Sequence, residues 1–98
     1  MSTQNRFSVK CDVYTSPEAR RTKSIDGPWK ATVQEAVRAL ADSLRKKGMA
    51  DLSLIRPFVA ERVPEAAAPS RDGRGICYRT FPITGLTGLL TDQGLEVL

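Results

Sequence analysis

Histidine is missing from all 98 positions of the sequence. Without it no Ser-His or Cys-His nucleophile pair can form, no histidine-bearing zinc site can close, and the commonest general base at neutral pH is gone. Cysteine is scarce. Cys11 and Cys77 are the whole supply, too few for an all-cysteine zinc site and without metal-like spacing. Each lies in an apolar-rich segment, so two reduced, partly buried thiols are expected rather than a disulfide. Long hydrophobic runs are absent as well: none approaches the ~18 apolar residues of a membrane span, and Met1 to Arg6 lack the apolar core of a signal peptide. A cytoplasmic protein away from the membrane is the expectation.

Motifs for catalysis are equally thin. Asp26, Asp51 and Asp72 sit near glycine or turn positions, where aspartate serves local hydrogen bonding. Arg71-Asp72-Gly73-Arg74-Gly75 lacks the length of a triphosphate-binding loop. The chain therefore reads as non-enzymatic, with no cofactor and no metal expected.

What is present is an ordinary globular composition, 41% hydrophobic and 27% charged, which supports one domain over residues 1–98 with a single modest core. The net charge of +4 is unevenly placed. Residues 1–79 hold all 15 Lys and Arg against nine acids, whereas residues 80–98 hold only Asp92 and Glu96. A basic body raises the chance of a polyanionic partner.

Local patterns specify the elements. Phe7, Val9, Cys11 and Val13 alternate with Ser8, Lys10, Asp12 and Tyr14, as on a half-buried strand. Residues 15–31 are a long loop carrying the Asp26-Gly27-Pro28 turn signal, with room for a short edge strand around Arg20 to Ile25. Thr32 and Glu35 form a capping box before the apolar stripe Val33, Ala36, Val37, Leu40, Ala41 and Leu44, with Gly48 as the stop. A helix is predicted from Val33 to Lys47.

Residues 52–63 suit a strand, but Pro57 cannot donate to a ladder and points to an edge, a bulge or a break. Residues 64–75 form a second long loop. Residues 76–81 read as a strand, Ile83, Leu86, Leu89 and Leu90 as a short helical stripe, and Leu95 to Leu98 as a last short strand. This βαββαβ order predicts an α+β, ferredoxin-like two-layer sandwich: an antiparallel sheet with a long and a short helix on one face.

Two kinds of partner fit these residues. Arg45, Lys46 and Lys47 end the long helix, where cations complement its dipole, and Glu35, Arg38, Asp42 and Arg45 stand at neutralising i, i+3 and i, i+4 spacings. The candidate cations lie elsewhere: Arg20, Arg21, Lys23 and Lys30 with Trp29 in the first loop, and Arg71 and Arg74 in the second. Basic loops with an aromatic can hold a nucleic-acid backbone and stack on a base.

The stretch Arg74 to Phe81 matches the RNA-recognition-motif signature at Arg74, Gly75 and Phe81 and departs from it at Ile76, Cys77 and Arg79. Its register would turn Arg79 toward the helices. The opposite register, burying Ile76 and Tyr78, is therefore expected, with Lys10, Tyr14, Arg79 and Phe81 on an open sheet face. Aromatic and arginine side chains on such a face suit a protein partner. The leading expectation is thus a small regulatory protein that docks on another protein as an inhibitor or adaptor. A nucleic-acid-binding domain is the alternative, and a homodimer is also open.

Overall fold

The computed structural model describes residues 5–15, 21–49, 51–64, 66, 69–71, 75–82 and 84–98. Strand β1 (Phe7–Tyr14) and strand β2 (Thr22–Asp26) are an antiparallel pair; helix α1 (Val33–Lys46) follows, then strands β3 (Leu54–Arg62), β4 (Ser70–Arg71) and β5 (Cys77–Phe81), and helix α2 (Leu86–Asp92). The sheet order is β2-β1-β3-β5-β4. The radius of gyration is 13.4 Å, as expected for one compact unit of this length.

The ferredoxin-like expectation is overturned: the sheet is a five-stranded antiparallel half-barrel, and its helices do not pack as in that sandwich. Two pairings replace those of that plan: β3 rather than β5 lies beside β1 on one side, and β2, the segment read as an optional edge strand, lies on the other. By pairing along β1 from Asp26 to Thr22 it takes the flank where the ferredoxin plan would place the last strand. The tail then reaches only the start of β3, as a single parallel bridge between Leu54 and Val97, flanked by Leu54 N–H to Glu96 O (2.8 Å) and Leu98 N–H to Leu54 O (2.9 Å). The second long loop also contributes a strand, β4, paired to β5 at Tyr78 and Cys77.

Helix α1 forms as its caps dictate. Thr32 Oγ1 accepts the Glu35 amide at 3.1 Å. At the other end Gly48 adopts φ +68° while its N–H bonds Arg45 O and the Met49 N–H bonds Leu44 O, the two reverse bonds of a Schellman stop. Helix α2 ends the same way: Gly94 has φ +81°, its N–H bonds Thr91 O, and the Leu95 N–H bonds Leu90 O.

The core lies between the helices and one sheet face. Val9, Cys11 and Val13 of β1, Ile25 of β2 and Val59 of β3 meet Val37, Leu40 and Leu44 of α1 and Leu86 and Leu90 of α2. Gly27 lets α1 approach this closely, since a Cβ there would lie 2.8 Å from Val9 O and 3.3 Å from Leu40 Cβ.

Pro57 is accommodated in a central strand. Lys10 pairs with Phe58 and Asp12 with Ile55, leaving Cys11 opposite both Arg56 and Pro57, which is a β-bulge. Arg56, within the bulge, takes a left-handed φ of +49°. Pairing of β3 with β5 begins only at Val59, so no ladder needs the missing proline donor.

Candidate functional site

Strand register decides which face each candidate residue occupies. Ser8, Lys10, Asp12 and Tyr14 share the face away from the helices with Thr22, Ser24 and Asp26 of β2, Phe58 and Ala60 of β3, and Tyr78 of β5. Residues Arg79 and Phe81 lie on the opposite face, because Phe81 is paired with the core residue Val59 and Arg79 with Glu61. The expected grouping of Lys10, Tyr14, Arg79 and Phe81 is therefore split, and the expected register of β5 is reversed.

The objection to turning Arg79 toward the helical side was an uncompensated charge. Glu61 supplies the compensation: its Oε1 accepts from both Arg79 and Arg6 at 3.2 Å, and the Arg79 side chain stays 59% exposed. Phe81 packs edge-on against Phe7, with ring centroids 6.4 Å apart.

The centre of the helix-free face is Lys10. Its residue is 3% exposed. The ammonium lies 4.9 Å from the Tyr78 ring centroid and 5.3 Å from that of Trp29, and these two rings contact each other at 6.2 Å. Trp29 reaches the site because Pro28 and Trp29 bulge out between two backbone anchors, Gly27 N–H to Val9 O (3.0 Å) and the reciprocal Phe7–Lys30 bonds (2.9 and 2.7 Å). Ser8 is buried beside it and donates to Gly27 O at 2.6 Å. Fully buried Ala60 offers only a methyl group between β1 and β5, which leaves room for the rings.

Lys10 Nζ stands 3.2 Å from Asp26 Oδ1, an ion pair without hydrogen-bond alignment, and among the described residues no hydrogen bond satisfies it. A cleft of about 270 Å³ opens beside it, lined by Lys10, Asp12, Ser24, Asp26, Phe58, Arg71 and Tyr78 among others. Within it Ser24 Oγ donates to Asp12 Oδ1 at 3.0 Å, and Arg56 is 3.8 Å from Asp12 Oδ2. Cys11, on the core side of β1, has its thiol pushed up to about 12 by burial first and then by the charges of Asp12 and Asp26, so it stays protonated and unreactive at neutral pH. Among the described residues no group of three His, Cys, Asp or Glu side chains is arranged to hold a metal ion.

The remaining predicted residues are dispersed. Tyr14, Arg21 and Lys23 lie at the loop end of the β1–β2 hairpin, where Tyr14 pairs with Thr22, Val13 with Lys23, and the Thr15 N–H bonds Arg21 O, so that Lys23 is on the face opposite Tyr14. Lys30 is half-buried at its bridge to Phe7, and Arg71 is exposed on β4 at the cleft. Arg20 and Arg74 lie outside the described residues. On α1, Asp42 and Arg45 form the expected i, i+3 pair at 3.2 Å, and Arg45 also donates to Gln93 O, tying α1 to the end of α2.

Sequence reasoning missed Asp26, Phe58 and the enclosure of Lys10. Asp26 read as a turn residue and Phe58 was hidden by the proline bulge that aims it; the alternation of β1 was a signal for Lys10's face but not for what covers it. No helix among the described residues is long and apolar enough to cross a membrane. No protein-family model, curated protein or solved structure matches the chain.

Proposed function

We propose that this chain is a small, non-enzymatic cytoplasmic binding protein that docks a protein partner, as an inhibitor or adaptor, on the helix-free face of its sheet. The observation that carries this reading is the placement of the aromatics. Tyr14, Trp29, Phe58 and Tyr78, four of the six in the sequence, stand on that one face, half-buried or exposed, with no helix over them. Amphipathic rings on a rigid sheet are the usual anchors of a protein interface.

Charge favours a protein over a nucleic acid here. At the centre of the face Lys10 is matched by Asp26 and Arg56 by Asp12, so no concentrated row of cations of the kind that phosphate binding and counterion release require stands there; Arg62 and Arg71 lie toward its β5–β4 side. Strand β2 adds an open edge. Its hydrogen-bonded pairs with β1 are those of Arg21, Lys23, Ile25 and Gly27, so the backbone groups of Thr22, Ser24 and Asp26 point outward, where an extended segment of a partner can add to the sheet. Two free cysteines suit a reducing compartment.

The test is cross-linked capture from the native host followed by reconstitution with the purified candidate. Tyr14→Ala with Phe58→Ala is expected to weaken the reconstituted complex at least tenfold while the fold persists. Ser24→Pro, which removes an outward amide and leaves the β1 ladder intact, reports the contribution of the edge. Unchanged affinity in the aromatic double variant sinks the reading. Steeply salt-dependent binding to single- or double-stranded oligonucleotides would establish the nucleic-acid alternative, and self-association lost in the same variant would make the partner a second copy.

A further inference from the structure

Lys10 and Asp26 are unequal members of their pair. The lysine side chain is 4% exposed and fixed in the middle of β1, whereas the aspartate side chain is 59% exposed at the end of an edge strand. The carboxylate can turn into water at little cost in solvation; the ammonium cannot follow it. Lys10 carries three donors, yet Asp26 meets it at 3.2 Å without hydrogen-bond alignment, and the Trp29 and Tyr78 rings occupy two of its sides. The cleft of about 270 Å³ leads to this point between Asp26, Ser24, Phe58 and Tyr78.

We infer that Lys10, Trp29 and Tyr78 form a carboxylate socket that Asp26 fills in the isolated chain and an acidic side chain of the docked protein partner fills in the complex. This assignment rests on the docking reading above and names the chemistry of its central contact. Exchange of one carboxylate for another conserves the charge of the site. The pairs Lys10–Asp26 and Arg56–Asp12 balance in charge, and a phosphate dianion in place of the Asp26 carboxylate would add a further negative charge to that balance, so a monoanion is the fitting ligand. The water-poor setting strengthens the new pair, and Phe58 and Tyr78 supply apolar contact for the methylene stem of a glutamate or aspartate.

Chemical rescue tests the socket without a known partner. Asp26→Ala leaves Lys10 without its counter-charge and is expected to lower the thermal midpoint. Sodium acetate should then raise that midpoint saturably, by about 4 °C or more beyond sodium chloride at equal ionic strength. It should also shift the emission of Trp29, the sole tryptophan of the sequence. Lys10→Met/Asp26→Ala should show neither response, and the wild type, with its socket filled, should respond at least fivefold more weakly. A blocked Gly-Glu-Gly peptide should act at lower concentration than acetate, and its Gln counterpart should not act.

Equal effects of acetate and chloride, an equal response in the Lys10→Met background, or tighter binding of inorganic phosphate than acetate would each overturn the assignment. If Asp26→Ala does not fold, the same titrations are made on Asp26→Asn, with the same criteria. Loss of partner binding in Tyr14→Ala, which lies outside the cleft, tests docking separately. Rescue that succeeds while that variant keeps its partner leaves the socket standing and removes the docking reading; failed rescue with docking intact does the reverse.

Discussion

At the scale of single residues, the unequal exposure of Lys10 and Asp26 makes a directional prediction. Asp26→Asn strands a buried ammonium and should cost about 1–3 kcal/mol, the two ring faces retaining part of its stabilisation. Lys10→Met releases an aspartate that water can solvate and keeps a stem of similar length, so it should fall within about 1 kcal/mol of wild type. Denaturant unfolding of the two variants and their double combination measures both values and the coupling between them. Equal costs would mean that the ammonium is better solvated than its burial implies.

Cys11 gives a pH signature. Its folded thiol titrates at about 12, against an ordinary value of 9.0, so between these values the unfolded state has lost a proton that the folded state retains. The thiol's contribution is therefore complete below about pH 9 and declines as pH rises toward 12, by up to about 1.4 kcal/mol per unit. Comparing wild type with Cys11→Ala isolates this from the other alkaline titrations: the stability gap between them should shrink from pH 9 to pH 11. The alternation of β1 makes the core-facing position of Cys11 legible in the sequence; the flanking charge of Asp26 belongs to another strand and appears only when β2 pairs.

At the scale of elements, the helix was the easiest to read because its signals are local. Thr32, Glu35, the apolar stripe and Gly48 act within a few residues of one another, and α1 runs over Val33–Lys46 as they require. Thr32→Ala should cost about 1 kcal/mol. Gly27→Ala should cost more, about 1–3 kcal/mol, because the added methyl would meet a backbone oxygen at 2.8 Å. Thermal unfolding of the two variants ranks a local contribution against a tertiary one. Gly27 reads in sequence as a turn glycine, and only the packing of Leu40 against β1 reveals its second role. Pro57 likewise signalled an irregularity correctly, yet whether that meant an edge or a central bulge depended on the neighbours of β3.

At the scale of the whole molecule, the two faces of the sheet should respond differently to mutation. Phe81→Ala removes the ring packed on Phe7 beside the core and should lower stability by about 1–3 kcal/mol without changing partner affinity of the folded fraction. Tyr14→Ala, at an exposed hairpin end, should change stability by less than about 0.5 kcal/mol and act on affinity instead. A reversed outcome would mean that the partner meets the helical side.

The sequence by itself determined what acts over short range: a strand at Phe7 to Tyr14, a capped helix, glycine stops, and a chemistry without histidine. Only the tertiary structure decided which strand lies beside β1, which way β5 faces, and what encloses Lys10. Those outcomes depend on competition among segments far apart in the chain for the same sheet edges, and alternation alone is equally satisfied by either face. Once β2 had taken the outer flank of β1, the ferredoxin order was closed to the tail, and Asp26 was brought opposite the lysine that now lies under two aromatic rings.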